Sequence, residues 1–140
     1  MVRRCHLVSL LMVWGVIAAQ AGDARFPGVW KAVTYEVAGV PHPMQGLFIF
    51  SKNYYSANVR FQLASGPVED SNGNTGPYTA NNGRIVFKQW VQVHVRPEDK
   101  KEPIISHAGA DEASEYRFEG NRLILTFPSK NRYILERLAE

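Results

Sequence analysis

Short segments rich in β-branched and aromatic residues alternate along this chain with turn residues, and no other feature of the sequence constrains its fold as strongly. The clearest segment is Tyr54–Leu63, where one face carries Tyr55, Ala57, Val59, Phe61 and Leu63 and the other face carries polar side chains. A period of two residues is typical of a strand that buries one face. No stretch after residue 28 has a strong helical period, so the sequence predicts an all-β domain.

The same pattern predicts seven or eight strands: Val29–Val37, Gly46–Ser51, Tyr54–Leu63, Tyr78–Ala80, Arg84–Arg96 as the longest, Ser114–Glu119, Arg122–Phe127 and Arg132–Leu138. Val40–Pro43 is predicted to lie outside the strands, because proline cannot donate a ladder hydrogen bond. The polar, glycine-rich Ser65–Pro77 and the charged Pro97–Ala113 are predicted to be loops, the second with at most one helical turn.

Tight turns between the strands favour an antiparallel meander, and the Asn82-Gly83 pair is a typical hairpin signal. Closing such a meander into a barrel removes the exposed edges that would template aggregation. The predicted fold is an antiparallel, up-and-down, eight-stranded barrel, whose interior holds side chains or one small ligand.

The first 21 residues have a different character. A basic segment, Met1–His6, precedes the apolar run Leu7–Ala19, and Ala19-Gln20-Ala21 places small residues at both positions that signal peptidase reads. This order is typical of a cleavable signal peptide, and the run is shorter than the roughly 20 apolar residues that span a bilayer. We expect cleavage after Ala21, a secreted or periplasmic protein without a membrane anchor, and one domain over residues 22–140.

Removal of this leader changes the charge and the thiol content. Subtracting Arg3 and Arg4 from the 16 basic residues leaves 14 against 13 acidic ones, so the mature chain is nearly neutral. No basic stripe interleaved with aromatics remains, which argues against a nucleic-acid partner. The single cysteine, Cys5, lies in the leader, so thiol catalysis and thiolate-held zinc are excluded for the mature chain.

Gly28-Val29-Trp30 at the start of the first strand, with Arg137 near the end of the last, resembles the lipocalin/calycin signature. In that superfamily the tryptophan plugs one end of the barrel, and an arginine packs across its ring with a cation–π energy of about 0.5–2 kcal/mol. Further stretches are similar to the bacterial lipocalin-like domain family: Gly46–Phe50, Tyr55–Ala57, Tyr116–Leu123 and Leu135–Arg137. The resemblance covers most of residues 26–138 and implies structural roles for Trp30 and Arg137 and an apolar small ligand.

Strand alternation selects the candidate interior residues. If Trp30 points inward, Glu36 does as well, and a carboxylate near a barrel mouth could bind a polar head or act as a general base. A mostly apolar cavity with a few polar groups is the usual make-up of a small-molecule site. The predicted ligand-binding residues are Glu36, Phe48, Tyr55, Val59, Gln89, Val91, Tyr116 and Tyr133.

Three function hypotheses follow. The first is a barrel that binds a small apolar or amphipathic molecule, and the second is a solid-core barrel that acts through its surface. The third is a calycin-like isomerase or cyclase with Glu36 or His94 as the acid/base group, although alternation predicts an outward His94, opposite the valines of its strand. No catalytic residue, cofactor or metal is assigned. The sequence lacks the usual spacing of metal ligands. A calcium loop that started at Asp70 would have Thr75 where glycine is required and Asn81 where glutamate is required.

Overall fold

The computed structural model describes residues 23–62, 69–95, 104–107 and 111–139, which form ten strands and no helix. The predicted signal peptide and its cleavage site lie outside these ranges. Among the described residues, no helix is long and apolar enough to cross a membrane. The strands are β1 (Gly28–Val37), β2 (Val40–Phe50), β3 (Tyr54–Gln62), β4 (Glu69–Asn81), β5 (Arg84–Phe87), β6 (Val91–Val95), β7 (Ile104–His107), β8 (Glu112–Glu119), β9 (Arg122–Thr126) and β10 (Arg132–Arg137).

Eight of these strands close a ring. Antiparallel pairing runs β1-β2-β3-β4-β5-β8-β9-β10 and returns from β10 to β1. The antiparallel pair of β6 and β7 extends the sheet from β4, because β6 pairs with the same strand, β4, as β5 does. The predicted all-β, eight-stranded antiparallel barrel is confirmed, and the architecture is consistent with a lipocalin/calycin-like fold.

One end of the barrel is closed by the segment that precedes β1. Phe26 is fully buried there, and its ring lies 4.7–5.6 Å from four other rings, those of Phe50, Tyr78, Tyr116 and Phe118. The buried Trp30 donates from Nε1 to the carbonyl oxygen of Phe26 at 2.9 Å. This end of the interior is therefore filled by aromatic side chains.

The Trp30–Arg137 contact expected from the resemblance is present at this end. The Arg137 guanidinium carbon lies 4.5 Å from the centroid of the Trp30 ring, and the group also donates to the carbonyl oxygens of Pro27 and Arg25. Gly28 is required beside it, because φ is +137° and a Cβ would lie 2.8 Å from Arg137 Nη1. The first and last strands are thus joined by side chains as well as by their ladder.

Two segments predicted to lie outside strands belong to the barrel. Val40–Pro43 is the first part of β2, where the described residues pair it with β1 and not with β3. Proline is tolerated at such an edge because its missing donor faces no partner. The predicted loop Ser65–Pro77 is wrong as well, since β4 begins at Glu69 and is the longest strand, with 13 residues.

The predicted long strand Arg84–Arg96 is interrupted. It forms β5 and β6, and between them Lys88 and Trp90 donate backbone hydrogen bonds to Pro77 and Thr75 of β4, at 2.9 Å each. The intervening Gly76 of β4 is buried, and a Cβ there would collide with the Lys88 carbonyl. The predicted loop Pro97–Ala113 also contains β7 and the start of β8.

Candidate functional site

A small cavity lies inside the barrel, on the side away from Phe26. Its volume is about 80 Å³. Phe87 lines it and contacts Phe50, which in turn contacts Phe26 of the closed end. The lining is roughly half polar, and it consists of Phe48, Tyr55, Ala57, Asn72, Asn74, Phe87, Gln89, Gln92, Glu112, Leu125, Phe127 and Tyr133.

Glu112, at the start of β8, is the one carboxyl group among the described residues of this lining. Its Oε2 accepts a hydrogen bond from Gln89 Nε2 at 3.0 Å. No ion pair joins it to a cationic side chain of the described residues. Burial raises the pKa of the Glu112 carboxyl above its ordinary value, because the charged form loses hydration that no cation replaces.

Three further polar atoms at the cavity are buried without a hydrogen-bond partner: the Tyr55 hydroxyl, Asn72 Oδ1 and Asn74 Oδ1. Burial raises the pKa of the Tyr55 and Tyr133 hydroxyls, and the nearby charge of Glu112 adds to both shifts. Each unsatisfied buried polar group costs about 1–3 kcal/mol, and such groups in native proteins call for an explanation. These groups belong to one cavity, which makes it the candidate binding site.

The polar wall of the cavity comes from β4. Asn74 pairs across the ladder with Ala57 of β3, and Asn72 pairs with Val59. Cross-strand partners share a face, and both β3 residues are buried in the core, so the two asparagines point inward. The polar composition of this segment led to the loop prediction.

A bulge in β1 reverses the predicted orientation of Glu36. Pairing with β10 shifts between Ala32 and Thr34, so the residues beyond the shift exchange faces. Tyr35 lies on the inner side, 4.7 Å from the Phe61 ring, whereas Glu36 binds Arg132 with oxygens 2.5 and 2.6 Å from Nη2. The inference of an inward Glu36 is therefore wrong.

The interruption between β5 and β6 reverses another face. Val91 pairs with Thr75, and His94 pairs with Asn72. Val91 therefore lies on the outer face with Val93 and Val95, while Gln92 and His94 lie on the inner face. The predictions of an inward Val91 and an outward His94 are both wrong, because alternation that is continued through an irregularity assigns the following side chains to the wrong face.

The other candidate residues divide between the cavity and the core. Phe48, Tyr55, Gln89 and Tyr133 line the cavity. Val59 is buried in the core cluster but does not line the cavity. Tyr116 lies at the closed end, where its ring packs 4.7 Å from that of Phe26 and its hydroxyl donates to Asp23 Oδ2 at 3.2 Å.

Glu112, Asn72 and Asn74 were missed by the sequence reasoning. Glu112 fell in a segment predicted to be a charged loop, and the two asparagines fell in a polar one. Among the described residues, no group of three or more His, Cys, Asp or Glu side chains is arranged to hold a metal ion. The polar groups of the described lining are carboxyl, amide and hydroxyl groups.

The outer face of β2, β3, β4 and β6 carries a second, larger concavity of about 730 Å³. Its lining includes Gly46 and Gly73, and its apolar lining residues are Val59, Val91, Val93 and Val95. Arg60 is the one ionisable residue among the described residues that line it. This groove is a shallow surface feature without the convergent titratable groups of the interior.

No family model matches this chain, and no characterised protein or solved structure is significantly similar to it.

Proposed function

We propose that this protein is an exported, lipocalin-like barrel that binds a small amphipathic molecule by its polar head in the cavity at Glu112. The observation that carries the proposal is the convergence of a partly buried carboxyl group and three unpartnered polar atoms on one internal cavity. Small-molecule sites combine an apolar lining with a few convergent polar groups. The signal-like leader supports export, and the Trp30–Arg137 pair supports the lipocalin-like assignment.

The size of the cavity decides how much of a ligand enters. About 80 Å³ holds two or three water molecules at roughly 30 Å³ each, whereas sites for drug-sized ligands occupy roughly 300–1,000 Å³. A head group of two to four non-hydrogen atoms fits this space. The apolar remainder of the ligand extends toward the end of the barrel that holds the β1–β2 and β9–β10 turns, away from Phe26.

The polarity of the lining modifies the expected ligand. An entirely apolar ligand would leave the side-chain oxygens of Asn72 and Asn74 without hydrogen-bond partners and the Glu112 carboxyl desolvated with Gln89 as its one partner, which is unfavourable. A ligand with a polar head and an apolar tail satisfies these groups and also covers Phe127 and Tyr133. The amphipathic alternative is therefore favoured over the apolar one.

If the protein is instead an enzyme, Glu112 replaces Glu36 and His94 as the candidate acid/base group. A desolvated carboxyl with a raised pKa suits a general base, whereas Glu36 is paired with Arg132 on the outer face. This second candidate requires turnover in addition to binding. Loss of turnover in Glu112→Gln with retained ligand affinity would favour it over simple binding.

The binding proposal is tested by native mass spectrometry of the protein purified from its own host. We expect a co-purifying small molecule, and we expect Asn74→Leu to lose it because leucine removes a polar contact and fills the cavity. Asn58→Leu is the matched control, since Asn58 is exposed on the outer face of the adjacent strand. An adduct retained by Asn74→Leu, or lost equally from Asn58→Leu, would contradict binding in this cavity.

A further inference from the structure

We propose that the head group recognised by this cavity is a small primary ammonium, so that the ligand is an alkylamine. The inference rests on the proposed binding function and identifies the chemical class of its ligand. It follows from the kinds of polar atoms that converge on the cavity, from the absence of a cation among the described residues of its lining, and from its size.

The polar atoms without partners include an excess of hydrogen-bond acceptors. Asn72 Oδ1 and Asn74 Oδ1 can only accept, and the Glu112 carboxylate offers further acceptor positions beside the one used by Gln89. An ammonium group brings three N–H donors and no acceptor, which is the complementary set. A carboxylate or phosphate head would instead place acceptors against acceptors.

The charge of the lining supports the same conclusion. Among the described lining residues, Glu112 is the one ionisable group besides the tyrosines, and none is a lysine, arginine or histidine. His94, the next inward residue of β6 beyond Gln92, is the nearest titratable group on that strand. A buried carboxylate is strongly favoured by an opposite charge within about 4–6 Å, and a bound ammonium would supply it.

The volume selects a primary ammonium over a bulkier cation. An ammonium with its first methylene fits about 80 Å³, whereas a tetramethylammonium head is larger and has no N–H donor. Hydrogen bonds to a charged group are stronger than those between neutral groups, so matched donors should change affinity by at least about tenfold. The difference in affinity between a primary ammonium and a tetramethylammonium head therefore measures the recognition of N–H donors rather than of charge alone.

The test is calorimetric titration of the full mature chain with hexylammonium, hexanol, hexanoate and hexyltrimethylammonium. We expect hexylammonium to bind at least tenfold more tightly than the other three probes. Glu112→Gln should reduce this affinity about tenfold or more, because it removes the charge and keeps the shape. Glu115→Gln is the matched control, since Glu115 is exposed on the same strand and should leave the affinity within twofold.

The pH dependence gives an independent readout. Binding of hexylammonium should strengthen as pH rises through the titration of Glu112, with release of a proton from the carboxyl group. Hexanol binding should show no such dependence. A pH-independent affinity for hexylammonium would overturn the ammonium inference even if Glu112→Gln failed to fold.

The outcomes separate the two proposals. Equal binding of hexylammonium and hexanol, both lost in Asn74→Leu, would overturn the ammonium inference and leave the proposed binding function standing. Tighter binding of hexanoate would also overturn it. Binding of none of the four probes, together with no ligand on the protein from its host, would contradict both proposals.

Discussion

Truncation of Trp30 to alanine should be among the most destabilising single changes in this barrel. The indole is 1% exposed, and its Nε1 donates to the Phe26 carbonyl at 2.9 Å. One side of the ring carries the Arg137 guanidinium at 4.5 Å, and the Phe118 ring lies at 5.8 Å. Removing the indole therefore opens a large cavity and breaks the contacts that hold the segment before β1, which contains Phe26, against the barrel.

The magnitude follows from these contacts. Large aromatic truncations in cores cost about 3–5 kcal/mol. The orphaned Phe26 carbonyl adds to this, and loss of the cation–π contact with Arg137 contributes about 0.5–2 kcal/mol, although such terms are not additive. We expect about 4–5 kcal/mol for Trp30→Ala, out of the roughly 5–15 kcal/mol typical of a domain. For a chain of this length that corresponds to a fall in Tm of roughly 12–25 °C.

The assay is urea unfolding followed by circular dichroism, with Trp90→Ala as the matched control. Trp90 is 54% exposed and contacts the Tyr54 ring at 5.4 Å, so its truncation should cost no more than about 1 kcal/mol. Arg137→Ala should fall between the two, because it leaves the indole in place. A Trp30→Ala variant no less stable than Trp90→Ala would refute the assignment of Trp30 as the plug of the barrel.

Three other predictions concern the cavity, the strand faces and the leader. The pKa of Glu112 is raised in the folded state, so the native protein binds this proton more tightly than the unfolded chain, and stability falls as pH rises from the unfolded to the folded pKa. Glu112→Gln should therefore raise Tm at neutral pH and flatten the decline of Tm above about pH 4.5. An unchanged dependence of Tm on pH would place this carboxyl in water. Val93→Asp on the outer face should cost about 1 kcal/mol or less, and Val59→Asp in the core several kcal/mol, as measured by urea unfolding; similar costs would contradict the face assignment. Mass spectrometry of the exported protein should give a chain that begins at Gly22, and a retained leader would contradict cleavage after Ala21.

Local pattern was sufficient for much of the fold. The predicted Val29–Val37 differs by one residue from β1, and the Asn82-Gly83 turn joins β4 to β5 as expected. The Trp30–Arg137 pair at the closed end was expected from the resemblance, and the structure places both residues there. The strand and turn predictions depend on near neighbours along the chain.

The candidate site depended on features that neighbours along the chain do not determine. The bulge between Ala32 and Thr34 is a property of pairing with β10 and β2, and it moved Glu36 to the outer face. The irregularity opposite Gly76 did the same to Val91. A single extra residue reverses every following side chain, so alternation alone assigns the wrong face beyond it.

The sequence-based prediction missed the polar wall of the cavity for a different reason. Asn72 and Asn74 are unfavourable in an ordinary buried strand, so their composition indicated a loop. They face a cavity with polar neighbours instead of a fully apolar core. A local rule is broken here at the place where we propose a binding site, which is where such violations are expected.

An NMR titration of the Glu112 side-chain carboxyl carbon in the mature protein, with Glu112→Gln identifying the resonance, is the most direct test of the internal polar site. We predict a pKa clearly above the ordinary value of 4.5, because the group is desolvated inside the barrel without a cationic partner among the described residues. A carboxyl that titrates at the ordinary value would show that Glu112 lies in water, and it would contradict the internal polar site.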